Sequence, residues 1–131
     1  MTDRQLADLA LEARKNAYAP YSGFNVGAAL LCADGTVFTG CNVENAAYGS
    51  TLCAERVALV KAVSEGHRND FTTIAIAGSG DDFCWPCGSC RQMLFEFAPN
   101  LRVLAVRQDG PFEVAALDAL LPHAFGPAAL K

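Results

Sequence analysis

Residues 52–97, LCAERVALVKAVSEGHRNDFTTIAIAGSGDDFCWPCGSCRQMLFEF, decide the fold, because they contain two helical segments on either side of one strand. Alanine and aliphatic residues recur at helical spacing over 52–65 and stop at Gly66, a plausible C-cap. Phe71 to Ala77 is an apolar and β-branched run typical of a buried strand. A second helical segment opens at Pro86 and ends at Phe97. This order predicts a sheet covered by helices.

The flanking segments extend the same pattern. Thr2 and Gln5 have capping-box spacing at the start of a helix to about Asn16. The other predicted elements are a hairpin of strands 24–33 and 36–43 turning at Asp34-Gly35, a loop at 45–51, strands at 101–107 and 112–115, and a short helix at 117–121. The predicted fold class is α/β, a three-layer α/β/α sandwich with a mixed five-stranded sheet, in a single domain over residues 1–131.

Composition sets limits on size and assembly. A chain of 131 residues suits one hydrophobic core. Its hydrophobic fraction, 52%, is high for a small soluble monomer, so we expect an oligomer that buries apolar surface between subunits.

Charge and apolar patterning exclude two classes of partner. Ten basic and fourteen acidic residues give a formal charge of −4, and the basic residues are scattered, which disfavours nucleic acid. The apolar runs are far shorter than the roughly 20 residues that a membrane span needs. The start of the chain lacks the apolar stretch of a signal peptide, so we expect a cytoplasmic protein without a membrane partner.

The six cysteines are the main chemical signal. In a reducing compartment they favour metal binding or catalysis over disulfides. Cys53 begins one predicted helix, and Cys87 and Cys90 begin another. Helix N-termini carry partial positive charge and favour thiolates. Three thiolates on one Zn²⁺ leave a fourth position for water, the arrangement of a catalytic site.

Two charged residues follow Cys53 directly. Glu55 lies on the same helical turn but projects differently, so it can approach a metal-bound water without ligating the metal, as a general base would. Arg56 can donate hydrogen bonds to the sulfurs and offset the excess negative charge of three thiolates on one zinc ion.

Other interpretations of the cysteines remain open. Cys87-x-x-Cys90 alone also occurs in structural zinc and redox sites. Cys84 extends it to the spacing of an iron–sulfur run, but Leu94 and Phe95 stand where that run has Cys-Pro. Cys84 could also close a four-cysteine structural zinc site, although Glu55 would then have no role. Cys32 and Cys41 lie in the predicted hairpin, where core packing accounts for them.

Together these motifs resemble a known family. A ligand-x-Glu followed by Pro-Cys-x-x-Cys is the pattern of zinc deaminases, and the chain resembles the small homotetrameric cytidine deaminases over essentially its whole length. The further matching stretches are Tyr21–Ala29, Asn42–Tyr48, Leu120–Pro122 and Phe125. Cys rather than His at position 53 is typical of the tetrameric class.

The resemblance implies hydrolytic deamination of cytidine and deoxycytidine, with one Zn²⁺ per subunit. A zinc-bound hydroxide would attack C4 of the base, with Glu55 as proton shuttle, in pyrimidine salvage. It also implies the substrate contacts. Asn42 and Glu44 would bind the ribose, Phe24 and Phe125 would wall the pyrimidine, and the backbone at Ala54 would meet its carbonyl, with Ala47 and Tyr48 completing the set.

The resemblance further implies that Phe125 and Tyr48 come from neighbouring subunits of a homotetramer. One departure is Trp85, where the family usually has Ser or Thr before the proline. Three alternatives remain: a deaminase of another aminopyrimidine nucleoside such as blasticidin S, a polynucleotide deaminase, which the acidic charge disfavours, and a non-catalytic zinc-binding module.

Overall fold

The computed structural model describes residues 1–130 as five strands and four α-helices. In chain order these are α1 (Asp3–Ala13), β1 (Val26–Cys32), β2 (Val37–Cys41), α2 (Ala54–Ser64), β3 (Phe71–Gly78), α3 (Gly88–Phe97), β4 (Arg102–Val106), β5 (Phe112–Ala116) and α4 (Leu117–Leu120). Short 3₁₀ helices cover Arg14–Asn16, Tyr48–Ser50 and Pro127–Leu130. Within the described range, no helix has the length and apolar character needed to cross a bilayer.

The strands form one sheet in the order β2-β1-β3-β4-β5. β1 runs antiparallel to β2 and β3, β3 runs parallel to β4, and β4 runs antiparallel to β5. The mixed five-stranded sheet predicted from the sequence is therefore confirmed. Because parallel neighbours need a crossover connection, the chain passes through α3 between β3 and β4, and this places α3 on a face of the sheet.

Helices cover both faces of the sheet, which makes the three predicted layers. Alternation along β1 sends successive side chains to opposite faces. Ala29 belongs to one core cluster, with Leu6 and Ala10 of α1. Leu30 belongs to the other, with Leu59 of α2 and Leu94 of α3.

Two glycines let helices lie directly on the strands. A Cβ on Gly27 would lie 2.1 Å from the Ala10 carbonyl oxygen, against α1. A Cβ on Gly40 would lie 2.5 Å from the Ala54 carbonyl oxygen, at the first residue of α2. Position 40 therefore has no room for a side chain. Because glycine has none, the start of α2 can approach β2 closely.

The element types agree with the sequence-based expectations, and the differences lie at the ends. The Thr2–Gln5 capping box is present, with bonds of 3.1 and 2.9 Å. Gly66 has a φ of 96°, as expected just after a helix end. The helices α2 and α3 each begin two residues later than predicted, because Cys53 and Cys87 have extended backbones and act as N-caps.

Candidate active site

The first turns of α2 and α3 bring three cysteines together. Cys53 and Cys87 are the N-caps, and neither sulfur accepts a capping hydrogen bond from the backbone of its helix. Cys90 follows Cys87 by three residues, a spacing that places both on one side of a helical turn. The sulfurs of the three residues lie within 4.8 Å of one another. The structure therefore assembles the predicted ligand set at two helix N-termini, where thiolates are favoured.

Electrostatics at these sulfurs favour an anion at Cys53. Hydrogen bonds from the Cys90 thiol and the Arg56 guanidinium lower the pKa of Cys53 to about 5, against the opposing effect of burial. The hydrogen bond to Cys53 and burial raise the pKa of Cys90. One sulfur is thus an anion stabilised by its neighbours, and a divalent cation would take the place of the remaining thiol protons.

Glu55 lies in the same cavity and is nearly completely buried, with 5% of its surface exposed. Burial raises the pKa of its carboxyl above the ordinary value, and the neighbouring Cys53 anion acts in the same direction. A carboxyl group with a raised pKa near a metal site can both accept and return a proton close to neutral pH.

Arg56 contacts the ligand set from outside the cavity. Its Nη2 lies 3.7 Å from the Cys53 sulfur and 3.2 Å from the Thr51 carbonyl oxygen. Its Nε is buried and has no hydrogen-bond partner within residues 1–130. The guanidinium thus lies where it can offset the negative charge of the sulfurs, as the sequence predicted.

The cavity beside the three sulfurs has a volume of about 200 Å³. The cavity is lined by six residues that the sequence placed in the site, namely Phe24, Asn42, Cys53, Ala54, Glu55 and Cys87. The other lining residues are Val26, Thr51, Leu52, Cys84 and Trp85. A larger groove of about 550 Å³ lies elsewhere, near Lys61 and His67, and contains none of the predicted site residues. Chemistry rather than size therefore identifies the candidate active site.

Sequence reasoning missed Val26, Thr51 and Leu52 as lining residues, whereas it singled out Trp85 as a departure from the family pattern. Thr51 and Leu52 directly precede Cys53 in the sequence, so they lie close to the cavity that Cys53 lines. Trp85 lies in the segment before α3, and its presence in the lining makes one wall of the cavity a large aromatic ring. Val26 lines the cavity from the start of β1. Only the pairing of the strands brings this residue close to Cys53 and Cys87.

Cys84 lies beside the three sulfurs without joining them. It lines the cavity, but the ligand cluster of the described chain contains only Cys53, Cys87 and Cys90 there. Burial and the nearby Glu55 raise the pKa of Cys84 to about 12. The closed four-cysteine alternative is therefore not supported.

The two predicted ribose contacts have different surroundings. Asn42 is buried in the cavity wall, where its Oδ1 accepts from the Val26 N–H at 2.9 Å and its Nδ2 donates to the Phe24 carbonyl at 2.8 Å. Glu44 lies in a neighbouring groove with Tyr21 and Tyr48. Its carboxylate accepts from the Tyr21 N–H at 3.0 Å, and from Ser22, whose hydroxyl lowers the pKa of Glu44.

Three predicted contacts are not in the cavity of this chain. Ala47 is exposed, and Tyr48 and Phe125 are 75% and 59% exposed. Tyr48 packs edge-on against Tyr21 at 5.9 Å between ring centroids. The Phe125 carbonyl accepts a hydrogen bond from Gln92 at 2.7 Å, which ties the C-terminal segment to α3. Tyr48 and Phe125 are therefore exposed aromatic residues outside the cavity lining.

The chain was compared with known proteins. The family model "Cytidine and deoxycytidylate deaminase zinc-binding region" matches residues 1–106. A cytidine deaminase of Halalkalibacterium halodurans is 48% identical over 125 residues, which is 94% of each chain. Another from Mycobacterium tuberculosis is 44% identical over 117 residues, covering 89% of this chain and 84% of that protein.

Solved structures agree with this comparison. The crystal structure of a cytidine deaminase from Burkholderia pseudomallei aligns with a TM-score of 0.92 at 48% identity, covering 95% of this chain and all of that one. The structure of the Mycobacterium tuberculosis enzyme aligns with a TM-score of 0.83 at 41% identity, covering 96% and 99% of the two chains.

Fold and site together define a zinc-dependent hydrolytic deaminase. The chain belongs to the cytidine and deoxycytidylate deaminase family, as its sequence motifs predicted. Zinc fits the residues present, because three cysteine sulfurs are common zinc ligands and would leave the fourth position of a tetrahedral ion for water.

Proposed function

We propose that this protein removes the amino group from C4 of cytidine and deoxycytidine by hydrolysis, producing uridine or deoxyuridine and ammonia. The observation that carries the proposal is the cluster of three cysteine sulfurs, because two of its members, Cys53 and Cys87, line one cavity with the buried Glu55. The names of the similar proteins support the substrate, since those described above are cytidine deaminases.

In the proposed mechanism, Cys53, Cys87 and Cys90 hold the zinc ion. When bound there, zinc supplies Lewis acidity that brings the pKa of a coordinated water toward neutrality. Glu55 accepts a proton from the water and delivers it to N3 of the base. As that proton reaches N3, the water oxygen bonds to C4. Glu55 then takes the remaining proton from this oxygen and gives it to the amino group, the C4–N bond breaks, ammonia leaves and C4 keeps the oxygen as a carbonyl. Burial raises the pKa of the Glu55 carboxyl, which favours its protonated form between the two transfers.

For substrate binding, Phe24 and the backbone of Ala54 would contact the pyrimidine, and Asn42 and Glu44 the ribose. The internal bonds of Asn42 leave its second amide hydrogen and a lone pair on Oδ1 for a hydroxyl group. The proposal assigns Ala47, Tyr48 and Phe125 to sites completed by neighbouring subunits.

We also propose a cytoplasmic homotetramer acting in pyrimidine salvage, with no nucleic-acid or membrane partner. The exposed apolar side chains near the cavity support subunit contacts, among them Tyr21, Phe24, Leu52, Tyr48 and Phe125. None of the six cysteines, all within residues 1–130, is in a disulfide, which supports a reducing compartment.

The test is Glu55→Gln in the zinc-loaded protein, assayed by loss of cytidine absorbance and release of ammonia. We expect the rate to fall by at least about 10²–10⁴-fold, the usual contribution of a general acid–base group, with the zinc content unchanged. Glu96→Gln, an exposed carboxyl-to-amide change on α3, is the matched control and should retain the full rate. Full activity in Glu55→Gln would contradict the proposed role.

A substrate panel separates the alternatives. Cytidine, deoxycytidine, cytosine, adenosine, blasticidin S and a cytidine-containing oligonucleotide are compared under the same conditions. We expect turnover of the first two only. Turnover confined to the antibiotic or the oligonucleotide would assign the other deaminase classes, and no turnover of any compound would favour a non-catalytic zinc module.

A further inference from the structure

A second group of metal-ligating side chains lies at the other end of β1 from the cavity. Cys32 is the last residue of β1, Asp34 lies in the turn that follows, and His67 and Asp70 lie between α2 and β3. One ligand atom from each of these four residues lies within 4.8 Å of the others. The active-site cavity is lined by Val26, the first residue of β1, about 20 Å away along the strand.

The fold holds these four residues in place. The Ala33 N–H donates to the Asp70 carbonyl oxygen at 2.7 Å, which joins the turn to the loop before β3. Asp34 Oδ1 accepts from the Thr36 N–H at 2.9 Å, which orients that carboxylate. The β1–β3 register shifts between Leu31 and Cys32, and such irregularities change the direction of nearby side chains.

One carboxylate oxygen in this group has no partner. Asp70 Oδ2 is hydrogen-bonded to His67 Nδ1 at 2.8 Å, whereas Asp70 Oδ1 is buried without a hydrogen bond inside residues 1–130. An unsatisfied buried oxygen costs free energy. Burial and the carboxylates of Asp70 and Asp34 also raise the pKa of Cys32 to about 11, so acidic groups crowd this site. A cation would satisfy the oxygen and offset the crowding.

We propose that Cys32, Asp34, His67 and Asp70 form a second metal site, selective for zinc-like divalent cations, that joins the β1–β2 turn to the loop between α2 and β3. One thiolate, one imidazole and two carboxylates are the ligand types that zinc takes in four-coordinate sites. Four protein ligands leave no position for water, so the site is structural. On binding, Cys32 loses its thiol proton to solvent.

The experiment titrates the full chain, already holding zinc at its three-cysteine site, with Co²⁺. We expect one further equivalent to bind with the visible bands of tetrahedral cobalt and a near-ultraviolet thiolate-to-cobalt band, and to raise the unfolding temperature. Asp70→Asn and the exposed Asp34→Asn should each weaken this binding at least about tenfold, the loss already seen when only outer partners of a metal ligand are removed. Cys32→Ser should remove the thiolate band.

Glu65→Gln, an exposed carboxyl-to-amide change near His67 but outside the cluster, is the matched control and should bind Co²⁺ like the wild type. Asp34→Asn guards against misfolding, because an amide oxygen can still accept from Thr36. The proposal is overturned if the second equivalent does not bind, if it gives no thiolate band, or if it binds equally well in the three ligand variants. Deaminase activity is not a readout here, so this result is independent of the proposed reaction.

Discussion

At the scale of single residues, the ionisable groups of the candidate site shift one another's pKa values. Cys53, Cys87 and Glu55 line one small cavity, Cys90 lies within 4.8 Å of the other two sulfurs, and the Arg56 guanidinium contacts Cys53 from outside the cavity. The hydrogen bond between Cys53 and Cys90 lowers the pKa of Cys53 and raises that of Cys90, because it stabilises the Cys53 anion and holds the proton on Cys90. The Arg56 guanidinium supplies a compensating positive charge in direct contact with the Cys53 sulfur.

Removing that charge tests its role. We expect Arg56→Gln to weaken zinc binding by roughly 10–100-fold, as loss of outer partners of a metal ligand usually does, with Arg56→Lys intermediate. Competition with a zinc chelator measures the affinity. Arg107→Gln, which breaks an exposed pair with Asp109, is the control and should bind zinc normally. Equal affinities in all three variants would remove Arg56 from the site.

At the scale of elements, the contact between β2 and α2 positions Cys53 and Glu55. A Cβ at position 40 would lie 2.5 Å from the Ala54 carbonyl oxygen and 2.6 Å from the Ala58 nitrogen, both in the backbone of α2. Neither atom can move without shifting the helix that carries both site residues.

We therefore expect Gly40→Ala to lower the free energy of unfolding by about 1–3 kcal/mol, the usual cost of overpacking, and to reduce deaminase activity. Denaturant unfolding and the cytidine assay measure the two effects. Gly49→Ala is the control, because its Cβ would have nothing within 4 Å, and it should change stability by less than about 0.5 kcal/mol. An unchanged denaturation midpoint in Gly40→Ala would contradict this account.

An ion pair joins α1 to β4. Arg102 contacts both carboxylate oxygens of Asp3, at 2.7 and 3.0 Å, and its hydrogen bonds lower the pKa of Asp3. A lowered folded-state pKa means that the stabilisation is present above the unfolded-state pKa of Asp and is lost as pH falls through the folded-state value. Both side chains are more than a third exposed, so solvent screening keeps the effect small.

We expect Asp3→Asn to lower the free energy of unfolding at pH 7 by no more than about 1 kcal/mol. Denaturant midpoints for wild type and variant should converge as pH falls toward and below the ordinary Asp pKa. A double-mutant cycle with Arg102→Gln isolates the pair. A difference that stays constant down to the lowest pH at which the protein folds would show that the ion pair is not its cause.

At the scale of the whole molecule, the cavity of one chain lacks part of the predicted site. Ala47, Tyr48 and Phe125 are exposed and lie outside the cavity lining. The volume of about 200 Å³ is below the roughly 300–1,000 Å³ of typical ligand pockets. The proposed tetramer would supply the missing walls and cover the exposed rings.

Subunit mixing tests this arrangement. Glu55→Gln chains and Phe125→Ala chains should each be nearly inactive, and mixed oligomers should regain part of the activity, because some sites would then combine an intact Glu55 with an intact neighbouring Phe125. Size-exclusion chromatography with light scattering gives the subunit number. Each variant carried through the same mixing step by itself is the control. Mixtures no more active than the separate variants would indicate sites built within one chain.

Much of this protein was predictable from local sequence. The helix and strand types, the Thr2–Gln5 capping box and the turn at Gly66 are set by neighbours along the chain, so they could be predicted and are present. The zinc ligands could be predicted because each motif lies at the start of a helix, and the motif spacing carries the chemistry.

The sequence alone therefore predicted the α/β class and the three-cysteine cluster, and it singled out Glu55, which lines the cavity beside that cluster. Only the tertiary structure decided that Cys84 stays outside that ligand set and that Cys32 lies close to His67 and Asp70. It also decided that the Asn42 side chain is hydrogen-bonded to the backbone of Phe24 and Val26. The physical reason is that periodicity and capping reflect interactions within a few residues. Distances between residues far apart in the chain are set by strand pairing and packing of the whole sheet.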